Sequence, residues 1–316
     1  MSGGVANVAV GPRAAARLLR PGWAAERRRA FLIGLAPALV VLAAITVAPA
    51  LYLLVTSLTP LSLVRPDETA WNFSSPWANF VELAGDERFT NSLWVQLRLS
   101  VSTVTLQLLA GLAVALLLNA RSRFLGAVRA TFLIPMVLPP IVVAILWKVL
   151  YTPEISPLHR VLAALGHPMR ALITDPSWAL WAIAVADVWE WFPFTMLMVL
   201  AALQMMPAEP LEAARIDGAG PWPLFRFVVL PLLRPTLVVA ALFRLIDSIK
   251  AFPLIYVLTG GGPGTVTEVT NYYAFVQAFN FSYWGYASAI TVVMVSGVFF
   301  LSWVISRLVG LEVDVE

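Results

Sequence analysis

The chain contains no cysteine and only two histidines, His159 and His167, and charged residues make up only 12% of its 316 positions. Without cysteine there is no disulfide and no thiolate nucleophile, and two imidazoles cannot by themselves build a histidine-based metal site. No His-Glu-x-x-His stretch occurs, and no Ser-His pairing falls within one leaflet, so hydrolase chemistry of either kind has no carrier. An ordinary soluble domain is about 25% charged. Half that share, beside 60% hydrophobic residues, is more apolar surface than one soluble core can hide. A bilayer accepts it. The net charge of +3 does not point to nucleic acid, because the arginines lie between apolar segments and form no basic face.

What is abundant is long apolar sequence. Six runs stand out: Phe31 to Leu58, Asn91 to Leu118, Ala130 to Tyr151, Trp178 to Met206, Leu232 to Leu258 and Trp284 to Val309. A helix crosses a hydrocarbon core in about 20 residues, so each run is long enough to span. This predicts an all-α integral membrane protein with six transmembrane helices over residues 31–309, between a basic segment at 1–30 and a short tail at 310–316. Prolines within the runs, at Pro37, Pro49, Pro135, Pro139, Pro140 and Pro193, bend helices and free carbonyls. In lipid those groups need a neighbouring helix or a water-filled cavity, which favours a packed bundle with a pathway.

Orientation follows from the positive residues. Arg13, Arg17, Arg20, Arg27, Arg28 and Arg29 precede the first run; Arg121, Arg123 and Arg129 join the second to the third. Arg215, Arg226 and Arg234 lie between the fourth and fifth, and Arg307 ends the sixth, against only Arg65, Arg88, Arg160 and Arg170 on the other side. Both termini are therefore expected in the cytoplasm. Arg28-Arg29 followed by an apolar stretch has the look of an export signal, but the stretch is far longer than a signal's apolar region and five more runs follow.

Between the fourth and fifth runs, residues 207–231 are too polar to span. They include Glu212-Ala213-Ala214-Arg215-Ile216-Asp217-Gly218-Ala219 and, after Phe225, Val228-Val229-Leu230-Pro231. Leu211 to Ile216 can form a short helix, small on one side at Ala213 and Ala214, that Gly218 ends. Taken alone, the three charges Glu212, Arg215 and Asp217 would favour a solvated surface hairpin, and the whole spacing reverses that. The spacing resembles the EAA loop of binding-protein-dependent ABC importer permeases, which is Glu-Ala-Ala, three residues, Gly, nine residues, Ile, any residue, Leu-Pro; here Val228 stands at the Ile position. Thr259-Gly260-Gly261-Gly262-Pro263 and Ala201-Ala202-Leu203-Gln204 are similar to stretches of the carbohydrate-uptake permeases of that family. Pro253 departs from them, standing where relatives often carry an acid.

The resemblance implies the type I permease fold of a bacterial inner-membrane importer. It also implies an ATPase-coupling role for Glu212, Ala213, Ala214, Arg215, Asp217, Gly218, Ala219, Leu230 and Pro231. The implied partners are a second permease subunit, preferably a different one, two ATPase subunits and an extracytoplasmic solute-binding protein. ATP and magnesium would sit on the ATPases, with no cofactor on this chain. The glycines at 260–264 agree, since no Lys-Ser or Lys-Thr follows them to make a phosphate loop.

Ionisable residues inside spans are costly and face protein or water. Asp187 and Glu190 lie in the fourth run, Arg244, Asp247 and Lys250 in the fifth. Counting inward from Trp178 and Leu258 brings Asp187 level with Asp247 and Glu190 level with Arg244, so a Glu190–Arg244 pair is expected, with Asp247 reaching Arg244 or Lys250 along its own helix. Such pairs serve equally well as ties between helices. Trp189, Glu190, Asp187, Arg244, Asp247 and Ser248 are the candidate solute-pathway residues, an aromatic face beside carboxylates suiting a polyhydroxylated solute. Asn271, Tyr272 and Tyr273 are placed in an outer loop, as contacts for the binding protein or for the solute it releases. The rival class is an ion-coupled secondary transporter in which Asp187, Glu190 and Asp247 are the coupling acids.

Overall fold

The computed structural model describes residues 21–309 apart from Pro66 and Arg121. Arg13, Arg17, Arg20, Arg121 and the tail at 310–316 lie outside the described residues. Helix α1 (Pro21–Ser57) is apolar on every side through its long middle, with Pro37 and Pro49 inside it. Up to Val55 it is a unit by itself. A helix with no polar face suits a hydrocarbon surrounding.

The second unit is a bundle. Short α2 (Ala78–Gly85) leads into α3 (Glu87–Leu118), whose N-terminus is capped by Asp86. The third span follows as pieces: α4 (Arg123–Phe132), α5 (Ile134–Val137) and α6 (Pro140–Tyr151). Then come α7 (Pro157–Ala164), α8 (Ala179–Gln204) and α9 (Ala208–Ile216). A continuous helical stretch from Pro221 to Ser248 comprises α10 (Pro221–Leu224), a π-helical turn at Phe225–Val229, and α11 (Leu230–Ser248). Finally α12 (Pro253–Leu258), α13 (Thr270–Phe275) and α14 (Trp284–Val309) close the bundle. No strand forms among the described residues.

Among the described residues, five helices are long and apolar enough to cross a membrane, with α6 a shorter apolar one. Two expected spans are thus corrected. The run Ala130 to Tyr151 is not one helix, because Pro135, Pro139 and Pro140 lack the N–H groups that would continue it. The run Leu232 to Leu258 stops at Ser248 and restarts at Pro253, with Phe252 N–H turned back to the Lys250 carbonyl at 2.7 Å. That stretch also begins earlier than expected, so Leu230 and Pro231 lie within it and not in a loop. The π turn just before Pro231 lets the helix pass a residue that donates no hydrogen bond and crowds the carbonyl four residues back.

α3 and α8 are the most closely paired helices. Their approach rests on Gly111, where an added Cβ would stand 2.6 Å from Thr195 Cβ and 2.8 Å from the Met196 nitrogen. The buried apolar side chains fall into three clusters along the bundle. Ala115, Leu118, Met196, Val199 and Leu233 pack at the end nearest α9. Leu83, Phe89, Tyr273, Tyr286 and Ile290 pack at the opposite end. Leu99, Val143, Ile183, Leu254 and Ile255 join α3, α6, α8 and α12 between them.

Candidate functional site

Three helices bring polar residues to one level inside this apolar bundle. On α3 the residues Gln96, Ser100, Thr103 and Gln107 recur at helical spacing and are buried. On α8, Asp187, Glu190 and Trp191 share a face; on α11, so do Arg244, Asp247 and Ser248.

Gln107 joins the three helices. Its amide nitrogen donates to Asp187 Oδ2 at 2.7 Å, and its amide oxygen accepts from Arg244 Nε at 2.9 Å. Arg244 also donates from Nη1 to Asp247 Oδ2 at 2.6 Å, and its Nη2 lies 3.9 Å from Asp187 Oδ2. The guanidinium carbon stands 4.5 Å from the centre of the Trp191 ring, a cation–π contact. Ser248 Oγ donates to Ser100 Oγ at 2.8 Å, and Gln96 Nε2 to the same Ser100 oxygen at 3.1 Å. Arg244 is only 2% exposed, so its charge is balanced within the protein by two carboxylates, an amide oxygen and an aromatic face.

Glu190 is the exception. It is 1% exposed and its Oε1 has no hydrogen-bond partner among the described residues. The expected Glu190–Arg244 pair is therefore corrected: equal depth is not equal azimuth, and Gln107 draws Arg244 toward Asp187, one turn away from Glu190. A cavity of about 180 Å³ opens beside these groups, lined by Asp187, Glu190, Trp191, Arg244, Asp247 and Lys250, with Pro140 and Pro253 also on its wall. Those prolines begin α6 and α12. The cavity lies where two interrupted helices meet, as expected where irregular backbone occurs at membrane depth.

Two candidate pathway residues do not line this cavity. Trp189 packs edge-on against Trp147 at 5.8 Å, in the central apolar cluster, and Trp191 takes the position at the cavity. Ser248 ties α11 to α3. Asn271, Tyr272 and Tyr273 lie on helix α13 and not in a loop. Tyr273 is 3% exposed and donates its hydroxyl to Asp86 at 2.5 Å, so it presents no open surface on this chain.

The neutral partners Gln96, Ser100, Thr103 and Gln107 were missed in the sequence, although four polar residues at helical spacing in an apolar run are a readable sign.

The second candidate site is α9 and its turn. Gly218, at φ 81°, adopts the left-handed conformation that glycine takes freely. The helix then closes by two bonds, Gly218 N–H to the Arg215 carbonyl at 3.1 Å and Ala219 N–H to the Ala214 carbonyl at 2.9 Å, the Schellman arrangement. No residue of α9 is buried. Glu212, Ala213, Arg215 and Asp217 are exposed, and Ile216 and Trp222 expose apolar surface beside them, at 85% and 69%. Only Leu211 and Ala214 of α9 are partly covered, so most of the helix surface is open on this chain.

Residues 107–310 match the family described as binding-protein-dependent transport system inner membrane component. The trehalose/maltose transport system permease protein MalF of Thermococcus litoralis is 38% identical over 214 residues, covering 68% of this chain and 72% of that protein. The trehalose transport system permease protein SugA of Mycobacterium tuberculosis is 34% identical over 287 residues, 90% of each chain. The sulfoquinovosyl glycerol transport system permease protein SmoG of Agrobacterium fabrum is 35% identical over 262 residues, 82% of this chain and 83% of that one. In fold, the chain superposes with a TM-score of 0.78 and 19% identity on a chain of a bacterial ABC transporter involved in import of the acidic polysaccharide alginate, covering 93% of this chain and all of that one. This fold, the type I permease architecture of ABC importers, and the family match place the chain in a membrane as a transporter component and not as an enzyme. It belongs to the binding-protein-dependent transport system inner membrane components.

Proposed function

We propose that this permease subunit carries a sugar or a related polyhydroxylated solute, received from an extracytoplasmic binding protein and driven by ATP hydrolysed on partner subunits. One observation carries the reading: Glu190, whose Oε1 has no hydrogen-bond partner among the described residues, lines a cavity between interrupted helices together with Asp187, Asp247 and the Trp191 ring. Carboxylates accept from hydroxyls and an indole face covers C–H surface, so the lining suits a solute with both. The relatives named for trehalose, maltose and sulfoquinovosyl glycerol support the same class. The ion-coupled reading of Asp187, Glu190 and Asp247 gains no support from membership of a binding-protein-dependent family.

In this reading α9 docks into a cleft of an ATPase subunit, with Glu212 as a polar contact. ATP and magnesium are held by two such subunits and no cofactor by this chain. A second, different permease completes the pathway, within membrane lipid and without nucleic acid. The arginine distribution supports a cytoplasmic position for the basic segment at 1–30, the coupling segment at 207–231, the tail at 310–316 and both termini, with 31–309 as the membrane domain. Closure of the ATPases moves α9, and the continuous helix behind it shifts Arg244 and Asp247 at the cavity.

The test is affinity purification from native membranes in mild detergent, comparing wild type with a Glu212→Ala, Gly218→Val double variant. An ATPase recovered with wild type and lost with the variant is the expected result. Wild type recovered alone, with uptake driven by an ion gradient, would overturn the reading.

A further inference from the structure

Six aromatic side chains form an unbroken file outside the polar network: Phe252, Tyr256, Tyr272, Phe275, Phe279 and Trp284. Phe252 and Tyr256 stack at 5.3 Å and 23°; Phe252 meets Tyr272 at 6.0 Å and Phe275 at 5.0 Å. Phe275 meets Phe279 at 5.1 Å, and Phe279 meets Trp284 at 5.6 Å. The file has a direction. Phe252 lies between Ala251 and Pro253, both on the wall of the 180 Å³ cavity. Trp284 begins α14, beside Gly285, whose N–H bonds to the Leu61 carbonyl at the end of the bundle opposite α9.

The file differs from an ordinary core in two ways. Tyr256 is 50% exposed and Phe279 is 63% exposed. Among the described residues, two buried polar atoms along it also lack partners: Asn271 Oδ1, in the same helical turn as Tyr272, and Trp284 Nε1. An acceptor and a donor left open beside half-open rings match a ligand that offers hydroxyls and C–H faces together.

We infer that this file is a stacking track along which the released solute passes from the end of the bundle opposite α9 to the Glu190 cavity, held by successive ring faces with Asn271 and Trp284 meeting its hydroxyls. The inference rests on the solute-pathway reading above. Tyrosine and phenylalanine faces bind a pyranose weakly and with little dependence on linkage, so the track retains the solute while the cavity selects it. Spacings of 5.0 to 6.0 Å between rings keep a pyranose in contact with the next face before it leaves the last.

The experiment reconstitutes the whole importer, this chain with its partner subunits and binding protein, in proteoliposomes. It measures the disaccharide imported per ATP hydrolysed, using whichever of trehalose or maltose the wild type accumulates. Tyr256→Ala with Phe279→Ala changes only half-exposed rings, and Tyr256→Phe with Phe279→Tyr restores the faces. With an aromatic contact worth about 0.5–1.5 kcal/mol, the alanine pair should import at least about fivefold less per ATP while binding-protein-stimulated hydrolysis persists. The aromatic pair should recover wild-type coupling. Unchanged import per ATP in the alanine pair overturns the track. Failure of both pairs to assemble also overturns it, marking the file as a packing face. A wild type that accumulates neither sugar with ATP removes the underlying reading, and the track with it.

Discussion

The guanidinium of Arg88 lies against the carboxylate of Glu268 in a two-bond fork, Nε to Oε2 at 2.7 Å and Nη2 to Oε1 at 2.8 Å. It ties the first turn of α3 to the segment between α12 and α13, with Asn91 adding a bond to the Thr265 carbonyl at 3.1 Å. Glu268 is 2% exposed, whereas the Arg88 side chain is 42% exposed. Arg88→Ala strands a buried carboxylate and should destabilise the fold by roughly 2–3 kcal/mol, below a fully buried pair because Arg88 reaches solvent. Thermal unfolding in detergent checks this. Exchanging the two residues, Arg88→Glu with Glu268→Arg, should recover part of the loss, and no recovery would show that the fork contributes nothing.

Asp86 gives the same end of the bundle an acid limit. Burial alone would push its carboxyl up, but the Tyr273 and Tyr286 hydroxyls, both at 2.5 Å, and the N–H groups of Phe89 and Arg88 hold it below its ordinary value. A carboxyl lowered in the folded state stabilises it fully above the unfolded value near 4 and loses that contribution as pH falls through the folded value. Asp86→Asn should therefore lower the unfolding temperature at neutral pH, and the gap to wild type should narrow below about pH 4. A gap independent of pH would contradict the assignment.

Gly111 sets the distance between α3 and α8. Gly111→Ala should cost roughly 1–3 kcal/mol, since Thr195 Cβ and the Met196 backbone stand where the methyl would go. Gly126→Ala, inside α4 with nothing within 4 Å, serves as the control and should hold or slightly raise the unfolding temperature. Equal behaviour of the two variants would mean that the helices separate freely.

Arg244 and Glu190 should separate stability from transport. Arg244→Gln leaves Asp187 and Asp247 without their cation and should lower stability by roughly 3–5 kcal/mol, read as lost monodisperse protein on size exclusion. Glu190→Gln breaks no bond at Oε1 and should assemble normally while uptake falls. Poor assembly of Glu190→Gln with normal uptake per assembled complex would make Glu190 a structural residue.

Legibility in the sequence followed how local the physics was. The α9 turn was readable because Ala214, Gly218 and Ala219 close a helix with bonds among neighbours in sequence. Counting residues placed Asp187, Glu190, Arg244 and Asp247 at one depth, because rise per residue is fixed. Which acid Arg244 meets depends on rotation about three helix axes and on Gln107 from a helix that carried no charge at that level. The prolines at 135, 139 and 140 foretold bending, but whether a helix bends or breaks is settled by its neighbours, here α8 and α12 against α6. Pro253 stood out only as a departure from relatives, and in three dimensions it is where α12 restarts.

The helical stretch from Pro221 to Ser248 has the geometry of a lever. About 35 Å of helix separates Pro221 from Arg244 at the usual rise, with the exposed α9 attached near one end and the buried guanidinium near the other. A swing of about 10° about the Pro221 end would carry Arg244 about 6 Å over that length. Because that helix ends at Ser248 and α12 starts afresh, such a swing would end at the cavity, with Phe252 beyond it packed against Phe275 of α13.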